Sequence, residues 1–210
     1  MSPVVRLGRP RKGEEILRRE QLLEKAVRLF AEHGFGSVSL ETIAREARVS
    51  LRTIYQQYGG KAELFCAVVR HYSDMFVAAL PPDGHEAWPM EETLVEFGRE
   101  YLFRNTRPEL LHLRTQFLAE AHRFPEVTAE IYLQGPGRTQ ARLAEVFAVH
   151  QRAGHIRAGD TLYFAGQFIS ALLGERYHRL QLGLDATPSD DEIAEWARQA
   201  VELFLAGVRA

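Results

Sequence analysis

Between Ser39 and Lys61 two short runs of helical period are separated by only a few residues, and no other stretch restricts the fold as much. Leu40, Ile43, Ala44 and Ala47 repeat at i, i+3, i+4 and i+7, the spacing of one buried helical face, and Ser39 is a good N-cap for them. Ser50 caps a second run in which Ile54 and Tyr58, four apart, turn inward. Leu51, Arg52, Thr53, Tyr55, Gln56 and Gln57 are then left for the outer surface and its edges. A small residue at Ala44 lets the second helix cross closely over the first, and Val49 plugs the turn, as a helix-turn-helix that lays its second helix in a DNA major groove requires. The outer face has suitable chemistry. Arg52 could reach guanine O6 and N7, Gln56 or Gln57 could pair bidentately with adenine, and Ser39, Thr42, Ser50, Thr53, Tyr55 and Lys61 could bind phosphates. A helical hairpin with a merely solvated polar face satisfies the same pattern, so the flanking residues must decide.

From about Ile16 to Val68 those residues resemble the tetracycline-repressor (TetR) family of bacterial transcription regulators. Ala26, Leu29, Phe30, Gly34 and Phe35, then Ser39, Ile43, Ala44, Val49, Ser50, Thr53, Ile54, Tyr55 and Tyr58, and finally Lys61, Leu64 and Phe65 occur in the family's order without a gap. There are two departures. The family usually has glycine where Arg48 stands, a turn position whose left-handed backbone costs an L-residue roughly 1 to 2 kcal/mol. It often has Lys and His where Leu51 and Gln57 stand, so no operator sequence carries over by analogy. Farther along, Ala121-His122-Arg123-Phe124-Pro125-Glu126, Gly135-Pro136 and the run from Val201 to Leu205 resemble the C-terminal domain of one branch of that family, which includes efflux regulators. The resemblance implies an all-α chain with an N-terminal three-helix helix-turn-helix DNA-binding domain and a C-terminal helical ligand-binding and dimerisation domain. It also implies a homodimer on a double-stranded DNA operator and a small-molecule effector.

A formal net charge of -2 looks wrong for a DNA binder until it is divided. Residues 1–61 hold 12 Lys and Arg against 7 Asp and Glu, while residues 62–210 hold 14 against 21. That asymmetry puts the nucleic-acid face at the N-terminal end and predicts salt-sensitive binding. Residues 1–13, with Arg6, Arg9, Arg11 and Lys12 spaced by Gly and Pro, predict an extended arm. Arg9 and Arg11 either follow a minor groove or belong to a tail that charge keeps solvated; Gly-Arg-Pro-Arg before a helix-turn-helix recurs in the family the chain resembles.

The expected units are that arm, a DNA-binding domain over 14–60, and an effector-binding and dimerisation domain over 61–210. A helix over 14–33 is stopped by His33-Gly34, and a connecting rod over 61–80 is stopped by Pro81-Pro82-Asp83-Gly84. Helices follow at about 90–105, 108–123, 126–151, 160–182 and 190–208, with Gly135-Pro136-Gly137 interrupting or kinking the third.

In the middle helices, aromatic and polar side chains alternate at helical spacing. Tyr72, Phe76, Phe97, Tyr101, Arg114, Phe117 and Tyr132 either enclose a mostly apolar pocket with polar anchors or are plain core with exposed polar ends. The last two helices carry wide apolar faces with Phe168, Leu172, Trp196, Val201 and Phe204, either a four-helix contact between two copies or a large core within one. Eight histidines lack ligand spacing, so no metal or other cofactor is expected, and no nucleophile elbow or phosphate loop points to an enzyme.

No run of about 18 apolar residues predicts a membrane span, no apolar signal segment occupies the first 30 residues, and one cysteine excludes an intramolecular disulfide; the expected location is cytoplasmic. The expectation is a DNA-binding regulator, more a repressor than an activator, released from a palindromic operator by a small, largely apolar molecule. Its rival is an architectural or partner-recruiting DNA binder with no ligand.

Overall fold

Caps and breakers divide the described residues into eleven α-helices and one 3-10 turn, with no named strand among them. The computed structural model describes residues 12–81 and 89–209, so Arg9, Arg11 and most of the expected arm lie outside the described residues. Lys12–Ser37 (α1) is bent at Gly34, whose φ of 81° and ψ of 161° suit only glycine. Leu40–Ala47 (α2) and Leu51–Tyr58 (α3) follow. Ser39 Oγ accepts from the Thr42 N–H at 3.2 Å and Ser50 Oγ from the Thr53 N–H at 3.0 Å, each satisfying a donor at its helix N-terminus. In the turn the Val49 N–H donates to the Ala44 carbonyl at 3.0 Å.

Arg48 ends α2 at φ 55° and ψ 38°, in the left-handed region. The position where the family usually has glycine is therefore one where the backbone favours it. Arg48→Gly is expected to raise stability by about 1 kcal/mol, the relief of left-handed strain less the conformational entropy of glycine. That corresponds to a gain of roughly 2 to 4 °C in Tm for a chain of this size. Differential scanning calorimetry checks it; an unchanged or lower Tm would mean the guanidinium stabilises the fold by more than the strain costs.

Beyond the turn come Lys61–Ala78 (α4), Met90–Asn105 (α5), Pro108–Glu120 (α6), a 3-10 turn at Ala121–Arg123, Pro125–Gln134 (α7), Pro136–Arg152 (α8), Thr161–Leu172 (α9), Glu175–Gln181 (α10) and Asp190–Val208 (α11). The expected helix over 126–151 is broken in two at Gly135, where α4 passes so close that an added Cβ would lie 2.3 Å from Val69 Cγ1. The expected helix over 160–182 also breaks, at Leu173-Gly174. Its apolar period runs on through the break, but α9 packs on α8 while α10 turns to α6, burying Tyr177 and Leu180.

Two cores result. The first gathers Phe30, Ile43, Ile54, Leu64, Phe65 and Val68, and it takes in Leu113 of α6 and Ile131 of α7. The second gathers Phe76, Phe97, Leu102, Leu143, Phe147, Phe168 and Leu205 among others. The helix α4 belongs to both, with Phe65 in one and Phe76 in the other.

Phe168, Leu172, Trp196 and Val201, expected between two copies, are buried in the second core of the single chain. Phe204 is half-buried, its ring 5.1 Å from Phe168 and 5.4 Å from Phe147. The expectation is corrected for a physical reason: α11 lies along α5 and α9 against α8, covering apolar faces that periodicity alone left without a partner. On α9 and α11 the large apolar side chains left exposed are Leu162, Tyr163 and Leu203. Among the described residues no helix is long and apolar enough to cross a membrane.

Candidate nucleic-acid face and effector cavity

The exposed side of α3 carries Arg52, Tyr55 and Gln56, opposite the fully buried Ile54. Tyr55 is 51% exposed on that side. The other expected contacts are less free. Leu51 is half-buried and packs on the first core. The Thr53 hydroxyl is 2.7 Å from that of Ser50, and the Thr42 hydroxyl is 3.2 Å from that of Ser39, so all four sit in the helix caps. Gln57 is exposed but stands to one side, with Arg19, Tyr58 and Glu130 on the wall of an open crevice between α1, α3, α4 and α7. The Cys66 thiol in the same crevice is pushed up to about 11 by burial and by the charges of Glu130 and Glu63, so it stays protonated and unreactive near neutrality.

Lys61 is engaged by the protein itself, which corrects the expectation of a free phosphate contact. Its Nζ donates to the carbonyls of Gly36 and Val38, each at 3.1 Å, and lies 4.9 Å from the centre of the Phe35 ring. One of its three N–H groups is left for any phosphate. From the other side the Gly36 N–H donates to Glu120 Oε2 at 2.9 Å. The link between α1 and α2 is thus held between the first residue of α4 and the last of α6. Nothing local in the sequence signals the Glu120 contact, which joins residues 84 apart.

A cavity of about 380 Å³ lies among α4 to α8. Of the seven residues expected around a ligand, Tyr72, Phe76, Tyr101, Arg114, Phe117 and Tyr132 line it. Phe97 does not. It is fully buried one turn before Tyr101, stacked on that ring at 5.5 Å and facing Phe168 at 6.2 Å, because that turn of α5 points into the second core. Sequence reasoning missed Phe65, Val69, Asn105, Leu113, Ile131 and Thr139, all in the wall. The first two had a signal: Phe65, Val69, Tyr72 and Phe76 recur at i, i+4, i+7 and i+11 along one face of α4.

Phe65 joins the cavity to the first core. It stacks on Phe117 at 5.6 Å and meets Phe30 and Phe35 edge-on at 4.8 and 5.4 Å. Polar atoms in the wall fall into two groups. Ser73 and Thr139 pair their hydroxyls at 2.9 Å and both approach the Gly135 carbonyl. At the other end Asn105 Nδ2 donates to the Tyr101 carbonyl at 2.8 Å, and the Arg114 guanidinium lies 5.4 Å from the Tyr177 ring centre. Burial pushes the Tyr101 phenol up to about 12, against the pull of Arg114, so it is a neutral donor.

Residues 22–68 match the profile of bacterial regulatory proteins of the tetR family, and residues 92–207 match the C-terminal domain of AefR-like transcriptional repressors. A solved structure from Mesorhizobium loti MAFF303099, described as a TetR-family transcriptional regulator, superposes with a TM-score of 0.74 at 25% identity, covering 96% of this chain and 100% of that one. The flavonoid-responsive regulator FrrA does so with a TM-score of 0.69 at 26% identity, over 92% of this chain and 97% of its own. The regulator BetI of Brucella anthropi is 28% identical over 190 residues, 88% of this chain and 92% of that protein. The transcriptional repressor SCO4008 of Streptomyces coelicolor is 34% identical over 95 residues, 44% of this chain and 45% of that protein.

Proposed function

The chain belongs to the TetR family of bacterial regulators, and from that premise we propose that it is a dimeric repressor released from a palindromic operator when a small, largely apolar molecule enters the cavity among α4 to α8. The observation that carries this reading is that the cavity's wall is also part of the reading unit: Phe65 lines it from the first core, and the α6 wall ends at Glu120, bonded to the link that leads into α2. The division into an arm over 1–13, a reading unit over 14–60 and an effector-binding and dimerisation unit over 61–210 belongs to the same proposal, with packing continuous across the second boundary.

Two reading helices of a dimer must stand about 34 to 36 Å apart to enter successive major grooves, so a small rotation of each head spoils the fit. A ligand displacing Phe117 acts on α6 and, through Phe65, on α4; both hold the α1–α2 link, one by Glu120 and the other by Lys61. Regulation requires the ligand to bind the DNA-incompetent arrangement more tightly, and DNA then weakens ligand binding by the same factor.

In this reading Arg52, Tyr55 and Gln56 meet the DNA, Gln57 and Thr53 stand at the edge, the capped N-termini at Ser39, Thr42, Ser50 and Leu51 lie near phosphates, and Arg9 and Arg11 follow the minor groove. Arg52→Ala is expected to cost about 1 to 3 kcal/mol and to relax preference at one position of each half-site. Operator variants read by fluorescence anisotropy check this; a uniform loss across sequences would make Arg52 a phosphate contact.

The proposal is tested by selecting duplexes from a random pool with the purified protein, then screening for compounds that raise its thermal stability. Compounds whose effect is lost in Phe76→Ala are cavity ligands. They are expected to lower operator affinity at least tenfold in the wild type, and much less in Glu120→Ala, which still binds them. Cavity ligands that leave operator affinity unchanged would sink the proposal and leave a DNA-binding regulator without an effector.

A further inference from the structure

The cavity also has a chemical polarity that selects its occupant. Arg114 is the only charged side chain in its wall among the described residues. No carboxylate pairs with that guanidinium among the described residues, and it lies 5.4 Å from the centre of the Tyr177 ring, a contact that leaves its charge unneutralised. Tyr101, 5% exposed and also in the wall, makes no side-chain hydrogen bond among the described residues, so its hydroxyl is free to donate. At the opposite end the Ser73 and Thr139 hydroxyls already satisfy each other and the Gly135 carbonyl, and require nothing of a ligand.

A cationic ligand would meet one positive charge and no carboxylate. A neutral apolar one would gain nothing from either donor. An acid satisfies both, because guanidinium is donor-only and its fork matches a carboxylate. Arg114 is exposed, so an acid can reach it from water. Apart from Asn105 and Thr128, most of the remaining wall is ring and aliphatic, with Phe65, Phe76 and Phe117 beside Val69, Leu113 and Ile131 in its lining. A volume of about 380 Å³ lies near the small end of the roughly 300 to 1,000 Å³ usual for ligand sites, room for one or two rings.

We propose that the effector is a small aromatic carboxylic acid, its carboxylate held by Arg114 and the Tyr101 hydroxyl and its rings lodged among Phe65, Phe76 and Phe117. This rests on the reading of the cavity as an effector site, and it makes Arg114 the residue that decides which charge is admitted.

The test uses the full chain and matched probes: benzoate, 2-naphthoate and 4-biphenylcarboxylate, each beside its primary carboxamide and the corresponding arylmethylamine, measured by isothermal titration calorimetry. At least one acid is expected to bind about tenfold more tightly than its own amide, because only the carboxylate is itself charged and can take the guanidinium fork with both oxygens, and the amines not at all. Arg114→Gln is expected to erase the difference between acid and amide, Arg114→Lys to keep part of it, and Tyr101→Phe to reduce it. Amides that bind as well as acids, a preference that survives Arg114→Gln, or a whole acid series that fails to bind would each overturn the inference. Operator affinity read in the same samples separates the two claims: an acid bound with Arg114-dependent preference that leaves the operator complex intact supports this site and overturns release by ligand.

Discussion

Leu203→Glu is expected to leave a folded monomer that has lost its operator. Leu203 is 75% exposed in the single chain, so the substitution removes little packing, and a surface change of this kind costs within about 0.5 kcal/mol. What it disturbs is the exposed face that α11 presents with Gln199 and Ala206 at i-4 and i+3; Leu162 and Tyr163 are the large apolar side chains exposed on α9. If two copies pair through these faces, the apolar groups are covered and a glutamate at 203 meets its own copy across the two-fold axis. Since each reading unit alone holds only one half-site, losing the second costs the gain from linkage, on the order of 10² to 10⁴ in operator affinity. Sedimentation and anisotropy on one sample check it. A dimer that persists at micromolar concentration with operator affinity intact would move the contact elsewhere on the surface. Phe204→Glu would be a poorer test, because that ring packs on Phe147 and Phe168 and its loss would unfold the second core.

Phe65→Ala and Phe76→Ala are expected to part company, although both enlarge the same cavity. Phe65 is 1% exposed and touches three rings of the first core and of α6. Its truncation should cost about 3 to 5 kcal/mol, a large share of the roughly 5 to 15 kcal/mol that holds a domain together. Thermal unfolding should begin well below that of the wild type, and operator binding should fall with it, because Phe30 and Phe35 lose the ring that sets α1 against α4. Phe76 is 7% exposed and faces Tyr101 at 4.7 Å, in the second core. Phe76→Ala should weaken or redirect ligand response while leaving ligand-free operator affinity nearly intact. Calorimetry and anisotropy on the two variants decide it; equal damage to operator binding would mean that cavity and reading unit do not act separately.

What the chain declares from its sequence alone is whatever short-range chemistry determines. The caps at Ser39 and Ser50, the inward Ile43 and Ile54, and the left-handed turn at Arg48 all involve groups within a few residues of each other, where helical period and cap geometry leave little freedom. The same local logic put Tyr72 with Phe76 and Arg114 with Phe117 on one face of a helix each, while setting those faces around a ligand rested on the family resemblance. Depth is a different matter. Phe97 and Tyr101 share one stripe of α5, yet only Tyr101 reaches the cavity, because Phe97 one turn earlier packs against Phe168 in the second core. Phe168, Leu172, Trp196 and Val201 form apolar stripes that a second copy or the chain's own helices could cover, and an apolar face carries no mark of its partner. Only the tertiary structure, by laying α11 along α5, decided for the chain itself and left Leu162, Tyr163 and Leu203 as the large apolar side chains of α9 and α11 still exposed. The bond from Glu120 to the Gly36 N–H is the extreme case: an acid at a helix end looks like solvated charge from its neighbours, and its partner is chosen by how α6 packs on α1.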